Sequence, residues 1–306
     1  MKKITDMDFD GMKGFSAMNR AFASTGFQAQ KLSEAAGIIG KMHRDKECVV
    51  YLSFTANMIA SGLRGAITGL CRKKVVDVVV TTAGSLEHDL MKHYAPYFLG
   101  DFDMDDSELH EKGMNRIGNI LIPTQRYVLF EKKIRPIFSK LLESGKRISP
   151  SGIAREIGLT LGKDSFQYWC AKNGIPVFCP GITDGALGLQ MYFFKQSNPD
   201  FCVDVTADMK ELAGITLSAE RTGAIILGGG ISKHHVLGAN IVREGLDYAV
   251  YFTTASEFDG SLSGARPKEG ISWGKIRPKS KTATVYGDAT ITFPLALCAL
   301  REKKAI

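Results

Sequence analysis

Six short apolar runs, rich in β-branched residues, constrain the fold of this chain more than any other feature of its sequence. The runs are continuous rather than alternating, which is the pattern of strands buried on both faces. They cover residues 49–54, 75–80, 175–179, 224–227, 248–252 and 284–286. Segments of helical period, such as residues 59–70 and 208–215, lie between them. This repetition predicts an α/β fold whose mostly parallel sheet is covered by helices on both faces.

The length of the chain bears on how many domains it forms. Its 306 residues are close to the limit of about 250–300 residues at which a single hydrophobic core stops growing. No internal repeat or low-complexity linker divides the pattern, so we expect one domain over residues 1–306. The Asp-rich segment 100–116 does not place glycine and a terminal glutamate at the spacing of a calcium loop. We expect it to be a solvated surface loop.

Charge and composition exclude several classes of protein. The chain carries 39 Lys and Arg against 32 Asp and Glu, a formal charge of +7. Its short basic runs lack the interleaved aromatic residues of a nucleic-acid surface. No apolar stretch approaches the roughly 18 residues that cross a bilayer, and the N-terminus has no signal-peptide core. The six cysteines are far apart, as reduced core cysteines are. We expect a cytoplasmic protein that binds neither nucleic acid nor membrane.

Small and hydroxylated residues follow the predicted strands at the points where the strands end. They are Thr55-Ala56-Asn57, Thr81-Thr82-Ala83-Gly84, Pro180 to Gly185, Gly228-Gly229-Gly230, Thr253-Thr254-Ala255 and Gly287-Asp288-Ala289. Ligands of open α/β sheets bind at the carboxyl ends of the strands. Small side chains there leave backbone N–H groups and helix N-termini free to hold a pyrophosphate. Although G-x-G-x-x-G is absent, six such ends together predict a dinucleotide site.

Carboxylates lie at or near the same strand ends. They are Glu87, Asp184, Asp259, Glu269 and Asp288. One of them could hold a ribose hydroxyl, and the remainder would suit a cationic substrate. For any one of them alone, a role as a helix cap or a solvated loop residue is the simpler interpretation.

Two further motifs suggest chemistry. His234 and His235 follow three glycines, and a histidine there could accept a proton or could only hydrogen-bond locally. In Trp273-Gly274-Lys275 the aromatic ring could shield the lysine amine from water, as Schiff-base chemistry requires. The alternative is a surface lysine in a hairpin. His88 and His93 are five residues apart, which is poor spacing for zinc, so no metal site is expected.

The same motifs closely resemble, in order along the chain, those of the deoxyhypusine synthase family. The residues that carry the resemblance are Thr81-Thr82-Ala83-Gly84, Pro180-Gly181-Ile182-Thr183-Asp184-Gly185, Ile226-Leu227-Gly228-Gly229-Gly230 to His235, Phe258-Asp259-Gly260-Ser261, Ser263-Gly264-Ala265-Arg266-Pro267 and Ile271-Ser272-Trp273-Gly274-Lys275-Ile276. The match runs from about residue 25 to about residue 298. In overall length the chain resembles archaeal or bacterial members.

The resemblance implies a Rossmann-like homotetramer that binds NAD, with active sites at subunit interfaces. Such enzymes oxidise spermidine, release 1,3-diaminopropane and pass an aminobutyl imine through an enzyme lysine to one lysine of the hypusine-bearing translation initiation factor precursor. By resemblance, Lys275 is that enzyme lysine and His234 accepts a proton. The polyamine side comprises Glu87, Gly229, Ser263, Glu269 and Trp273. The cofactor positions are Asn57, Thr82, Ala83, Gly84, Asp184, Thr254, Ala255, Asp288 and Ala289.

Some positions differ from the eukaryotic members of that family. His88 replaces a second glutamate, and Leu189 and Leu262 replace aspartates that bind the polyamine. Three alternatives therefore stay open. The first is a homospermidine synthase-like enzyme with a free diamine as acceptor, the second is a transferase of another amine such as agmatine, and the third is a catalytically weak regulatory paralogue.

Overall fold

The computed structural model describes residues 3–302, which form nine strands and fourteen α-helices. The strands are β1 (Cys48–Phe54), β2 (Val78–Val80), β3 (Phe98–Leu99), β4 (Met114–Ile117), β5 (Ile120–Pro123), β6 (Val177–Phe178), β7 (Arg221–Leu227), β8 (Leu246–Thr253) and β9 (Ile276–Tyr286).

The helices are α1 (Gly14–Phe22), α2 (Phe27–Arg44), α3 (Ala56–Ala60), α4 (Arg64–Arg72), α5 (Ala83–Tyr94), α6 (Asp106–Glu111), α7 (Gln125–Glu143), α8 (Pro150–Leu159), α9 (Phe166–Asn173), α10 (Ala186–Ser197), α11 (Val205–Ser218), α12 (Gly230–Ala239), α13 (Glu269–Ser272) and α14 (Ala289–Glu302). A short 3₁₀ turn, Asn240–Arg243, follows α12. The described chain divides into two compact units.

The first unit contains the chain up to Phe54, Lys73–Val80 and everything described from Met209 onward. Its strands lie in the order β2-β1-β7-β8-β9, and every neighbouring pair is parallel. Successive residues of a strand point to opposite faces of the sheet. Because all residues of β7 from Thr222 to Leu227 are buried, both faces of the sheet are covered. The predicted α/β fold with a parallel sheet is confirmed.

Helices supply that cover. Helix α2 packs against β1, β8 and β9, and α12 packs against β1 and β2. The buried side of α2 is made of Leu32, Ala35, Ala36, Ile38, Ile39, Gly40 and Met42. Its apolar residues recur at helical spacing, so one stripe faces the sheet while the charged residues stay in water.

The second unit contains Thr55–Arg72 and Thr81–Asp208. It is mainly helical, with a small antiparallel sheet in the order β3-β5-β4. In this unit α3 packs against α5, and α10 packs against α5 and α7. Residues 81 and 178 connect through a backbone hydrogen bond of 2.9 Å from Thr81 N–H to the Phe178 carbonyl.

Local predictions were wrong at several places. The strands expected over residues 75–80 and 175–179 are shorter, at Val78–Val80 and Val177–Phe178. The helix expected over residues 59–70 is broken, because α3 ends at Ala60 and α4 begins only at Arg64. The segment 100–116 is not a plain loop, since it forms α6 and most of β4. Asp105 begins α6 by accepting hydrogen bonds from Ser107 N–H at 2.8 Å and Glu108 N–H at 3.1 Å. Strand β9 starts eight residues earlier than residue 284, at Ile276.

Candidate active site

In the second unit, the starts of α3 and α5 carry the first group of predicted cofactor residues. A methyl group at Gly84 would lie 2.8 Å from the Ala56 Cβ, so only glycine lets the two helices approach this closely. The Thr82 Oγ1 is buried and has no hydrogen-bond partner among the described residues. Near it, the Thr55 hydroxyl lies 2.6 Å from the Asn57 Oδ1. The small side chains and the unsatisfied hydroxyl fit a ligand that brings its own polar atoms.

Glu87 is almost fully buried in α5. Its Oε1 accepts a hydrogen bond of 2.8 Å from Leu187 N–H at the start of α10. A Cβ at Gly185, whose φ is +151°, would lie 2.4 Å from the same oxygen. Burial raises the pKa of Glu87 to about 7, although the backbone N–H groups of Leu187 and Ala186 oppose that rise. Glu87 therefore changes charge close to neutral pH.

His88 is the next residue of α5 and is also buried. Its Nδ1 lies 2.8 Å from the Tyr97 hydroxyl, and the two rings meet edge to face. Burial first, and the charge of Lys92 second, lower the pKa of His88 to about 4. His88 is therefore a neutral ring at pH 7. Asp184, in the loop before α10, is exposed.

In the first unit, the carboxyl ends of β8 and β9 bring the second group of cofactor residues together. Thr253 and Tyr286 are partners in the β8–β9 ladder, so Thr254 and Ala255 lie beside Asp288 and Ala289. Ala255 N–H donates to the Thr253 hydroxyl at 3.0 Å. Asp288 is exposed, and its Oδ1 accepts from Thr290 N–H at 2.8 Å. The Asp288 carboxylate therefore also serves as a local cap for α14, as the simpler interpretation expected.

The start of α12 brings Gly229 and Ser263 into contact. A Cβ at Gly229 would lie 2.6 Å from the Ser263 Cα, and Gly230 N–H donates to the Ser263 hydroxyl at 3.1 Å. His234 lies further along α12 and is exposed. His235 is half-buried, and burial followed by the charge of His234 lowers its pKa. Of the two histidines, His234 is the one open to an external ligand.

Lys275 lies at the opposite end of the strands of this sheet, directly before the first residue of β9. Its carbonyl accepts from Leu246 N–H at 3.1 Å, at the first residue of β8. The Lys275 Nζ is 5.1 Å from the centre of the Trp273 ring, which is 64% exposed. The lysine itself is half-buried, and Glu269 at the start of α13 is exposed.

The amino ends and the carboxyl ends of the strands in this sheet are far apart. From Leu246 to Thr253, β8 rises seven residues at roughly 3.3 Å each, which is about 23 Å. A lysine side chain spans only about 6 Å, so Lys275 cannot reach the Thr254 and Asp288 end of its own unit. The structure brings the predicted cofactor residues after β8 and β9 together, and separately Lys275 with Trp273. It does not bring these two groups of the first unit together.

No three His, Cys, Asp or Glu side chains within residues 3–302 come together as a metal site would require. None of the helices in that range combines the length and apolar content needed to cross a membrane.

The similarity to known proteins extends over nearly the whole chain. A family model described as deoxyhypusine synthase matches residues 17–300. The chain belongs to the deoxyhypusine synthase family. It is 42% identical to the deoxyhypusine synthase of Senecio vernalis, over 99% of this chain and 91% of that protein. It is 43% identical to the "Probable deoxyhypusine synthase" of Thermoplasma volcanium, over 97% of this chain and 96% of that protein.

The fold of the deoxyhypusine synthase family is shared as well. A crystal structure of a candidate deoxyhypusine synthase from Entamoeba histolytica has a TM-score of 0.71 at 28% identity, over 97% of this chain and 96% of that one. The resemblance inferred from the motifs is therefore confirmed, and the chain is an enzyme of the transferase type that defines this family.

Sequence reasoning missed two lysines whose ammonium groups are held by backbone carbonyls near predicted site residues, the half-buried Lys92 and the buried Lys233. Lys92 donates to the carbonyls of Ile59, Ala60 and Ser61, at 2.7–2.9 Å, and so caps the end of α3, which carries Asn57. Lys233 makes a similar set of bonds next to His234. Lys233 lies inside the motif from Ile226 to His235, but nothing local to either lysine shows that backbone carbonyls will surround its ammonium group.

Proposed function

We propose that the chain transfers the aminobutyl group of spermidine to a lysine of the hypusine-bearing translation initiation factor precursor, using NAD and an imine on Lys275. Membership of the deoxyhypusine synthase family over residues 17–300 is the observation that carries this proposal. The motif Trp273-Gly274-Lys275 lies inside that match, with the lysine amine beside an aromatic ring.

The residues that would hold NAD form two sets. One set is Asn57, Thr82, Ala83, Gly84 and Asp184, and the other is Thr254, Ala255, Asp288 and Ala289. The fit is supported by the buried, unpartnered Thr82 hydroxyl and by the close approach at Gly84, which leaves no side chain in the way. When bound, NAD supplies a hydride acceptor and later a hydride donor.

Lys275 is proposed as the nucleophile. The lysine amine would attack the imine carbon of the oxidised substrate, and the C–N bond to 1,3-diaminopropane would break, so that this diamine leaves and the aminobutyl group stays on Lys275 as an imine. This divides a difficult transfer into two easier steps. Trp273 would lie along the polyamine, where a cation–aromatic contact contributes about 0.5–2 kcal/mol. His234, which is exposed on α12, would accept the proton of the substrate's secondary amine.

Glu87 and Glu269 would bind the amine ends of the substrate, with Gly229 and Ser263 lining the approach. Glu269 is exposed and can meet a solvated ammonium group. Glu87 is buried, so a substrate ammonium beside it would favour its ionised form. A cationic substrate and the Glu87 carboxylate would thus stabilise one another.

The 23 Å separation between the ends of β8, roughly estimated from its rise per residue, supports an assembly. Lys275 would act on the dinucleotide held by a second copy of the chain, with active sites at the interfaces of a homotetramer.

Mixing two inactive variants of the chain tests this arrangement. Lys275→Ala and Gly84→Val are each expected to be inactive alone. If random assortment of the copies gives each site its lysine and its dinucleotide residues independently, mixed copies should recover about one quarter of the activity. No recovery after refolding together would refute a shared site.

The chemical step is tested by transfer of label from spermidine to the factor precursor in the presence of NAD. Borohydride should trap an adduct on Lys275, and Lys275→Ala should abolish both the adduct and the transfer. Lys279→Ala is the matched control, since Lys279 is an exposed lysine of β9, the strand that begins directly after Lys275. Full transfer by Lys275→Ala would refute the proposed mechanism.

A second candidate concerns the amine. Leu189, at a position where eukaryotic relatives have an aspartate, is 51% exposed on α10, and Leu262 is half-buried. The loss of two carboxylates would weaken the binding of a polycation by roughly 1.5–3 kcal/mol for each charged hydrogen bond that is lost. Spermidine, agmatine and putrescine should be compared with and without the protein acceptor. Amine-dependent formation of NADH and a new polyamine without the precursor would favour the homospermidine synthase-like alternative.

A further inference from the structure

Lys233 is a charged side chain in the core of the first unit. Only 1% of its surface is exposed. Its Nζ donates to the carbonyls of Leu262 at 2.8 Å, Ala265 at 2.7 Å and Ser263 at 3.3 Å. The same nitrogen lies 4.5 Å from the centre of the Tyr251 ring. An ammonium group has three N–H donors, and here three carbonyls of one loop accept from it.

The loop that Lys233 binds is packed tightly against its surroundings. A Cβ at Gly229 would meet Ser263, and a Cβ at Gly264 would lie 1.7 Å from the Ser256 carbonyl oxygen. Gly230 N–H also donates to the Ser263 hydroxyl. The loop and the first turn of α12 are therefore held together by a buried charge and by close backbone contact.

A chain of backbone hydrogen bonds continues from this loop to the proposed nucleophile. Ala265 N–H donates to Leu262, Glu269 N–H to Arg266, and Gly270 N–H to Pro267, at 3.0–3.2 Å. Lys275 N–H then donates to the Gly270 carbonyl at 2.9 Å. A displacement at residues 262–265 would be passed along consecutive turns to Glu269 and Lys275.

We propose that Lys233 is a positioning residue, which holds the segment 262–275 against the helix that carries His234. This inference rests on the function proposed above. Lys233 does not face the substrate, because its Nζ is enclosed by the three carbonyls and the Tyr251 ring. It acts by fixing where the Lys275 amine and the Glu269 carboxylate stand relative to His234.

The charge state of Lys233 agrees with this role. Burial lowers its pKa to about 8, and the negative charge of Glu269 opposes the shift. The amine is therefore mainly protonated at pH 7 and offers all three donors. Without its ammonium, the three carbonyls of this half-buried loop would lose a common partner.

The test compares Lys233→Met, which keeps the length and removes the donors, with Lys233→Arg. Lys233→Met should lower kcat with spermidine roughly ten- to a hundredfold, because small misplacements of reacting groups are costly. The Kd of NAD should change less than kcat does, since the Lys233 ammonium binds the carbonyls of Leu262, Ser263 and Ala265 and not the residues proposed to hold the dinucleotide. Lys233→Arg, which retains donors, should recover part of kcat. Amide hydrogen exchange of residues 256–275 should accelerate in Lys233→Met.

Lys92→Met is the matched control, since Lys92 is a lysine of the second unit that also binds three carbonyls. It should leave hydrogen exchange of residues 256–275 unchanged, even where it destabilises the protein. Unchanged kcat together with unchanged exchange in folded Lys233→Met would refute the proposal. Wild-type protein without any transfer would instead refute the proposed function, while the exchange measurement would still decide the role of Lys233.

Discussion

The buried carboxyl group of Glu87 gives the most direct test of the site's electrostatics. Glu87→Gln keeps an oxygen that can accept from Leu187 N–H at 2.8 Å, and it removes the charge. In the folded protein burial raises the pKa of this carboxyl from 4.5 to about 7. The native state therefore holds its proton over a pH range in which the unfolded chain has released it.

The sign and the size of the effect follow from this difference. Between pH 4.5 and 7 the native state binds more protons than the unfolded state, so the contribution of Glu87 to stability falls as the pH rises. At 1.36 kcal/mol per pH unit, the full cost above pH 7 is roughly 3 kcal/mol, and at pH 5 it is under about 1 kcal/mol. The free energy of unfolding of Glu87→Gln, minus that of the wild type, should increase by roughly 2–3 kcal/mol from pH 5 to pH 8.

Urea unfolding of the NAD-free protein at pH 5, 6, 7 and 8 measures this difference, at one protein concentration because an oligomer's stability depends on it. Glu111→Gln, which changes an exposed carboxylate of the second unit, is the control and should shift stability by less than about 0.5 kcal/mol throughout. The variant should also have a higher KM for the amine. A stability difference that does not change with pH would show that burial of Glu87 imposes no charge penalty.

Two further predictions concern the same unit. Gly84→Ala would place a methyl group 2.8 Å from that of Ala56. It should cost about 1–3 kcal/mol of stability and weaken NAD binding in a fluorescence titration, whereas Gly69→Ala, whose Cβ would meet nothing within 4 Å, should do neither. His88 has a pKa lowered from 6.5 to about 4, so its contribution to stability is complete above pH 6.5 and is lost as the pH falls towards 4. His88→Gln should reduce the loss of stability between pH 6.5 and 4 by up to about 3 kcal/mol, and equal acid unfolding curves for the two proteins would contradict this.

Much of the sheet could be predicted from local patterns. The apolar runs at 49–54 and 224–227 became the buried strands β1 and β7, because a strand covered on both faces needs apolar residues at every position. Strand β9 was recognised only near its end. Its first residues include Arg277, Lys279 and Lys281, and β9 pairs only with β8 among the strands of the first unit, so polar side chains can face water there.

The helix break at residues 61–63 and the elements inside the segment 100–116 escaped prediction for a related reason. The periodicity of residues 59–70 does not distinguish one helix from two short ones that share a face. Residues 100–116 are polar, and only the Asp105 cap and the pairing of β4 with β5 order them. The Asp105 cap reaches only two and three residues along the chain, and β4 and β5 pair as a hairpin, so these contacts are local and the polar composition of the segment concealed them.

The motifs predicted Lys275, Trp273 and the small residues after the strands as site residues, which stays a prediction, and the family that the motifs indicated is confirmed. The roles of Lys233 and Lys92 could not be predicted, nor could the burial of Glu87 and His88. In the sequence these are ordinary polar residues of helices. Whether a polar side chain keeps its water depends on which segments pack over it.

By itself, the sequence determined where the strands lie, which residues follow them and which family chemistry they carry. These properties arise from backbone conformation, side-chain size and apolar content within a few consecutive residues. Only the tertiary structure decided which charged groups are enclosed and which strand ends are neighbours, including the separation of Lys275 from the Asp288 end of its own sheet. Desolvation and distance are set by contacts between residues far apart in the chain, and no short stretch of sequence contains them.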